Sequence, residues 1–277
     1  MTSIWPRLYA DYLAPCRLNE FSELIRFTLR CRYVHKTLHE FHRLVDAGPA
    51  MQGQKIFLHR HDVDTAPGTA RMMFEIEKEH RIRSTYYFRL STIDIELMRA
   101  IDEYGSEVGY HFEEVASYCK QHNITTPGGA WAAMPEIRQR FINNFRTLED
   151  RFGRKIRSVA AHGDFANRKL GIKNFVLLTP DIRHELKIDF EDYDARVRRR
   201  YDVTLSDGGA RRTEYRGASP FEAIEAGHNV IHLLLHSRCW RSTPLTNFGV
   251  DGRRLYEGVK WELTRRINNH IRRTQEQ

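Results

Sequence analysis

At 277 residues the chain can form one large α/β domain or two small ones, since barrels commonly reach about 250 residues as single units. Hydrophobic residues at 41%, charged residues at 29% and aromatics at 11% exclude a disordered tail, a collagen-like repeat and a membrane protein. The formal net charge is +8, and residues 196–277 carry sixteen Lys and Arg against nine Asp and Glu, placing +7 in the last third.

From the amino end, Pro6, Arg7, Asp11 and Pro15 interrupt what a signal peptide would need as an apolar core. Cys16, Cys31, Cys119 and Cys239 form no CxxC pair, so a reduced, cytoplasmic chain is expected. Asn19 to Val45 reads as a helical region ended by Gly48-Pro49. Lys55–Leu58 is an apolar run that opens onto Arg60-His-Asp-Val-Asp64 and Pro67, a strand, loop and helix, with the helix over Thr69–His80. Thr85–Leu90 is a second strand followed by a helix near Asp94–Tyr104, and Glu107–His111 is a third strand with a helix beginning near Glu113. From Pro135, the residues Ile137, Phe141, Phe145, Leu148 and Phe152 recur at helical spacing up to Gly153, and Ile156–Ala161 is the strand after them.

The pattern is weaker beyond Gly163, then resumes with a strand at Asp202–Leu205, a helix from Pro220 to Ala226 and a strand over Asn229–Leu235. A basic helix closes the chain over about Gly258–Arg273. The longest apolar runs, such as Phe175–Leu178, fall far below the ~18 residues of a membrane span. Alternating strands and helices with no dividing linker predict a single parallel α/β barrel. Its parts are a helical extension over residues 1–50, a core over 51–240 and a basic segment over 241–277 packed on it.

Ligand-capable residues stand where the expected strands end: Asp62 and Asp64, His111, His162, Asp207 and His236. In a parallel barrel these ends meet on one rim, so residues far apart in sequence can surround one substrate. The ordered set Arg60-His-Asp-Val-Asp64, Phe74–Glu79, Thr85-Tyr-Tyr-Phe88, Gly109-Tyr-His111 and Leu233-Leu-Leu-His236 resembles a divergent branch of the NodB-like polysaccharide deacetylases, the carbohydrate esterase family 4 type. The resemblance spans about residues 55–240. It implies a distorted (β/α) barrel, seven-stranded, that removes acetyl groups from N-acetylated sugars in surface polysaccharide biosynthesis, such as that of O-antigen.

Carried over by resemblance, Asp62 is the catalytic base, Asp64 a carboxylate ligand, His111 a histidine ligand and His236 the general acid. One divalent metal is implied, zinc first, with iron or cobalt suited to the same donors. The family's second metal histidine falls on Val115 here. His162 is the expected replacement, with Glu113 and Glu114 as alternatives. The family's arginine-bearing motif is not recognisable in Ala160–Asp164, and Arg60 is the expected substitute. Ser206-Asp-Gly208 resembles the start of a further motif without its following Trp, and by that resemblance Asp207 is a supporting residue on the substrate side. Trp240, in a loop with Arg238 and Arg241, is expected against the sugar, whereas Tyr86 and Tyr87 are expected in the core and His59, His61, His228 and His232 as structural.

The expected partner is an acetylated sugar, sugar nucleotide or glycan with an anionic portion, read by a basic run such as Arg198–Arg200. Nucleic acid is not expected, because no helix-turn-helix, zinc-finger or RNP-like pattern accompanies the charge. Hydrolysis of another C–N bond, or a degenerate barrel that binds without hydrolysing, are the competing readings.

Overall fold

The computed structural model describes residues 5–48, 53–208 and 215–275. Its strands are β1 (Val34–His35), β2 (Ile56–Val63), β3 (Thr85–Phe88), β4 (Glu107–Phe112), β5 (Ser158–Ala161), β6 (Phe190–Glu191), β7 (Val203–Ser206) and β8 (Val230–His236). Every pairing between these strands is parallel, and seven of them follow the order β6-β5-β4-β3-β2-β8-β7. The two residues of β1 pair beside the start of β2, Val34 with Ile56 and His35 with Phe57. With β6 and β7 at the two ends of this order and helices between successive strands, the sheet is a distorted (β/α) barrel of seven principal strands.

All eight residues of β2 are buried. A strand covered on both faces usually reads as a run of Val, Ile and Leu, because a buried polar group is costly unless it is bonded. Here the pleat sorts the side chains. Ile56 and Leu58 join Tyr87, Ala160, Phe190 and Val230 in one cluster, which Leu38 and Phe41 of the Leu38–Ala47 helix also enter. Phe57 joins Phe21, Leu24 and Ile25 of the Leu18–Arg30 helix in another. A third apolar cluster collects the Ile137, Phe141, Phe145, Leu148 and Phe152 row of the Met134–Phe152 helix, which stops at Gly153 in the left-handed conformation (φ 75°).

Gly109 in β4 has a different role. A Cβ there would lie 2.2 Å from Cε1 of Tyr87 and 2.9 Å from the Ser158 carbonyl oxygen. Its absence lets the Tyr87 ring lie across β4 with its hydroxyl donating to Ser158 Oγ at 3.0 Å.

The structure departs from the sequence expectations at three places. The helical stretch read over Asn19–Val45 is two helices, Leu18–Arg30 and Leu38–Ala47, separated by a turn at Arg32 (φ 63°) and by β1. Arg60, His61 and Asp62, expected in a loop, lie inside β2. The closing helix runs over Pro244–Gln275 and so begins fourteen residues before Gly258. Its side bonds compensate the weak helix propensity of Gly249 and Gly252, since Asn247 Nδ2 donates to the Asp11 carbonyl and Asp251 pairs with Arg238. No helix among the described residues is long and apolar enough to cross a membrane.

Candidate functional site

The parallel register brings the strand ends together. Asp62 of β2 stands beside Tyr87 of β3 on one side and His236 of β8 on the other, and His111 of β4 is paired with Ala160 of β5, two residues before His162. Asp64 follows β2 directly.

At this rim His111 Nε2 lies 3.3 Å from Asp64 Oδ1 and 3.3 Å from Asp62 Oδ2, and His162 Nε2 lies 3.5 Å from Asp64 Oδ1. One ligand atom from each of Asp64, His111 and His162 falls within 4.8 Å of the others. Asp64 Oδ1 is buried yet accepts no well-directed hydrogen bond. Three ligand atoms this close together, one of them a buried carboxylate oxygen without a well-directed hydrogen bond, could hold a cation. The donor set, one carboxylate and two imidazoles, suits zinc, iron or cobalt.

The surrounding groups orient these ligands. His111 Nδ1 donates to the Ala160 carbonyl at 2.9 Å, which leaves Nε2 as the free donor toward the rim. His162 Nδ1 lies 3.4 Å from Glu113 Oε2, and Glu113 in turn takes a bond from Arg89 Nη2 at 2.6 Å. Burial works to raise Glu113, but the bond to His162 and the charge of Arg89 outweigh it and hold the carboxyl down to about 2. Glu113 therefore sits behind His162 as an anionic partner. Glu114 is turned away: it is buried and accepts from Tyr110 Oη and from Asn144 Nδ2. Val115, at the position of the family's second histidine, is fully buried in the core cluster and has no access to the rim.

Asp62 is gripped by Arg60 through two bonds of 2.8 Å, Nε to Oδ1 and Nη2 to Oδ2. The guanidinium also bonds Asp192 through Nη1 and lies between the rings of Tyr87 and Tyr193, at 5.3 and 5.2 Å from their centroids. Burial alone would raise the Asp62 carboxyl, yet Arg60 foremost, then His111 and His236, bring it below the ordinary carboxylate value. Arg60, expected both as the substitute for the family's base-orienting arginine and as a substrate contact, is fully buried and clamps Asp62, which fits the first expectation and not the second.

His236 Nδ1 donates to Asp207 Oδ1 at 2.6 Å, and the other Asp207 oxygen accepts from the His236 backbone N–H at 2.7 Å and from Trp240 Nε1 at 3.0 Å. Burial pulls His236 down, but Asp207 above all, with Asp64 and Asp62 behind it, raises it to about 9. The imidazole is thus charged at neutral pH with Nε2 free. Trp240, expected to stack on a sugar, has no exposed surface: its ring packs against Phe21 at 5.4 Å, under the Arg17 guanidinium at 4.9 Å. The Leu18–Arg30 helix covers the position that sequence reading left open, so Trp240 is closed off from a sugar and supports Asp207, which holds His236 in place.

Two cavities flank this centre. The larger, about 680 Å³, runs from Asp64, Arg89 and Glu113 to Arg253, Arg254 and Lys260 of the closing helix. The smaller, about 170 Å³, is lined by Asp62, Asp64, Asp207 and His236 together with Arg216 and Arg254. The run Arg198–Arg200 lines neither of them. The cations that line the smaller cavity are instead Arg216, Arg238 and Arg254. Sequence reading missed Asp192, which bonds Arg60, and named Glu113 only as an alternative ligand, whereas it stands behind His162.

On the opposite face of β2 lies a second polar group. His59 Nδ1 and His61 Nε2 donate to Glu77 Oε1 at 3.0 and 2.8 Å, and Ser84 Oγ and Tyr86 Oη donate to Glu77 Oε2 at 2.5 and 2.7 Å. Four donors occupy this carboxylate, and His61 stacks on Tyr86 at 4.1 Å.

No protein-family model matches the chain, and no curated protein matches it. Among solved structures it is similar to a Streptococcus pyogenes deacetylase, PplD, in complex with acetate, at 8% identity and a TM-score of 0.43, over 79% of this chain and 80% of that one. It is also similar to a mutant of BA3943, a CE4 family pseudoenzyme with restored enzymatic activity, at 14% identity and a TM-score of 0.41, over 76% of this chain and 63% of that one.

Proposed function

We propose that the chain is a metal-dependent hydrolase that removes the acetyl group from an N-acetylated sugar or sugar precursor. The observation that carries this reading is the convergence of Asp64, His111 and His162 beside an ionised Asp62 and a charged His236 on one rim. A divalent ion held by the three ligands, zinc by preference, would supply Lewis acidity toward a carbonyl and toward water. Asp62, kept ionised and oriented by Arg60, is placed to accept a proton from the attacking water. His236, kept charged by Asp207, is placed to give one to the departing amine. Arg216 and Arg254, lining the cavity that holds His236, fit an anionic group on the substrate such as a phosphate or uronate. Cytoplasmic action on a precursor of a surface polysaccharide, O-antigen among them, extends this reading and rests on the sequence resemblance.

One observation favours a second reading. Both oxygens of Asp62 are taken by Arg60, which lowers its basicity as well as orienting it, so a barrel that binds such a sugar without hydrolysing it has a physical basis. Acetate release from a panel of acetylated sugars and sugar nucleotides by zinc-loaded protein separates the two. Release that falls about 10²–10⁴-fold in Asp62→Asn, with metal content and thermal midpoint retained, supports hydrolysis. Tight binding of a panel member with no acetate released supports the degenerate barrel.

A further inference from the structure

The closing Pro244–Gln275 helix is amphipathic in an inverted sense. Its inward side carries Trp261 and Asn247, both buried. Its outward side carries Leu245, Phe248, Leu255, Val259, Leu263 and Ile267, with exposures from 53% for Val259 to 92% for Leu245. At ~100° per residue these six fall within an arc of ~120° centred opposite Trp261, a stripe ~35 Å long. A surface helix ordinarily turns this stripe to the core, and a contiguous apolar face of this length marks a surface that something covers.

Charge identifies the occupant. The three carboxylates of the helix within the described residues are each engaged by a cation of the same chain: Asp251 pairs with Arg238, Glu257 with Lys120 at 2.8 Å and Glu262 with Lys169 at 2.8 Å. The exposed charges beside the stripe are the cations Arg253 and Lys260, and the exposed charge within its arc is Arg266, near its carboxyl end. A second copy of the chain would have to bring these cations against their own equivalents, in parallel or antiparallel pairing, while the three carboxylates of the helix are already engaged by Arg238, Lys120 and Lys169. A surface that is apolar beneath and anionic above satisfies both the stripe and its flanks. We infer that this helix docks the protein on an anionic phospholipid surface, with the stripe in the headgroup and acyl boundary and the flanking cations on lipid phosphates. Arg253 and Lys260 also line the larger cavity, so the cleft that reaches Asp64 opens beside the docked face. The inference is independent of the chemistry proposed for the rim.

The test is cosedimentation of the full chain with vesicles of phosphatidylcholine alone and of phosphatidylcholine with about one-third phosphatidylglycerol. The expected result is binding to the anionic vesicles at least about tenfold tighter than to the neutral ones, weakened by salt. Val259→Glu with Leu263→Glu lowers that binding by about tenfold or more without moving the thermal midpoint, because both side chains are exposed. Absence of binding to anionic vesicles, or equal binding by wild type and the double variant, overturns the inference. A dimer in lipid-free buffer, seen by sedimentation velocity and dissociated by the same substitutions, also overturns it, in favour of a second copy.

Discussion

Asp207 holds His236 by two bonds at once, Oδ1 on the ring at 2.6 Å and Oδ2 on the backbone N–H at 2.7 Å, so one carboxylate fixes the tautomer, orientation and charge of the imidazole. An acid must be protonated to act, and activity is therefore expected to fall as pH rises through about 9. The stability contribution has the same sign: with the folded value raised above the ordinary 6.5, it is complete below 6.5 and lost as pH rises through about 9. In Asp207→Asn the alkaline limb of the rate profile should move down toward 6.5 and the maximal rate should fall about 10²-fold or more. A limb that stays in place, read from acetate release between pH 6 and 10, removes Asp207 from this role.

Asp64, His111 and His162 should each be needed for full metal content. Asp64→Asn and His111→Ala are expected to lose bound zinc, measured by elemental analysis after dialysis, and His162→Ala to weaken it. Glu113 lies against His162 Nδ1 at 3.4 Å and would act on an ion held by Asp64, His111 and His162 only through that ring, so Glu113→Gln should cost about 10–100-fold in zinc affinity while leaving the stoichiometry at saturating zinc unchanged. Equal zinc affinity in Glu113→Gln and wild type would leave His162 without its proposed support.

His232 gives an acid-stability prediction. It is buried against Tyr201, ring on ring at 4.7 Å, and neither ring nitrogen has a hydrogen-bond partner. Burial lowers it to about 4 against the partial opposition of Asp192. A group depressed in the fold contributes stability that is present above its unfolded value near 6.5 and is lost as pH falls toward 4, on the order of 3 kcal/mol in all. His232→Phe keeps the stack on Tyr201 and cannot be protonated, so its stability between pH 7 and 4 should decline less steeply than that of wild type in urea unfolding.

Sequence reading reached the rim because the polar residues that end buried strands break an apolar pattern, and His111, His236 and Asp64 are such breaks. It could not reach Asp192: β6 is two residues long and has no period to detect. Trp240 was read as exposed since nothing local to Ser237–Arg241 shows that the Leu18–Arg30 helix, more than two hundred residues earlier, covers it. Arg60 carries the same lesson, as its identity as an arginine was legible but its burial between two tyrosines depends on β3 and on the segment after β6.

Strand β2 carries two polar systems back to back, Arg60 and Asp62 toward the rim and His59 and His61 toward Glu77. Because alternate residues take opposite faces, a slip of one position would put imidazoles where Asp192 waits for a guanidinium and a guanidinium under the helix that presents Glu77. Either misplacement strands buried charge, so the two systems proofread each other's alignment during folding. A single-residue insertion or deletion between Phe57 and Asp62 should therefore be far less tolerated than a substitution at any one of these positions.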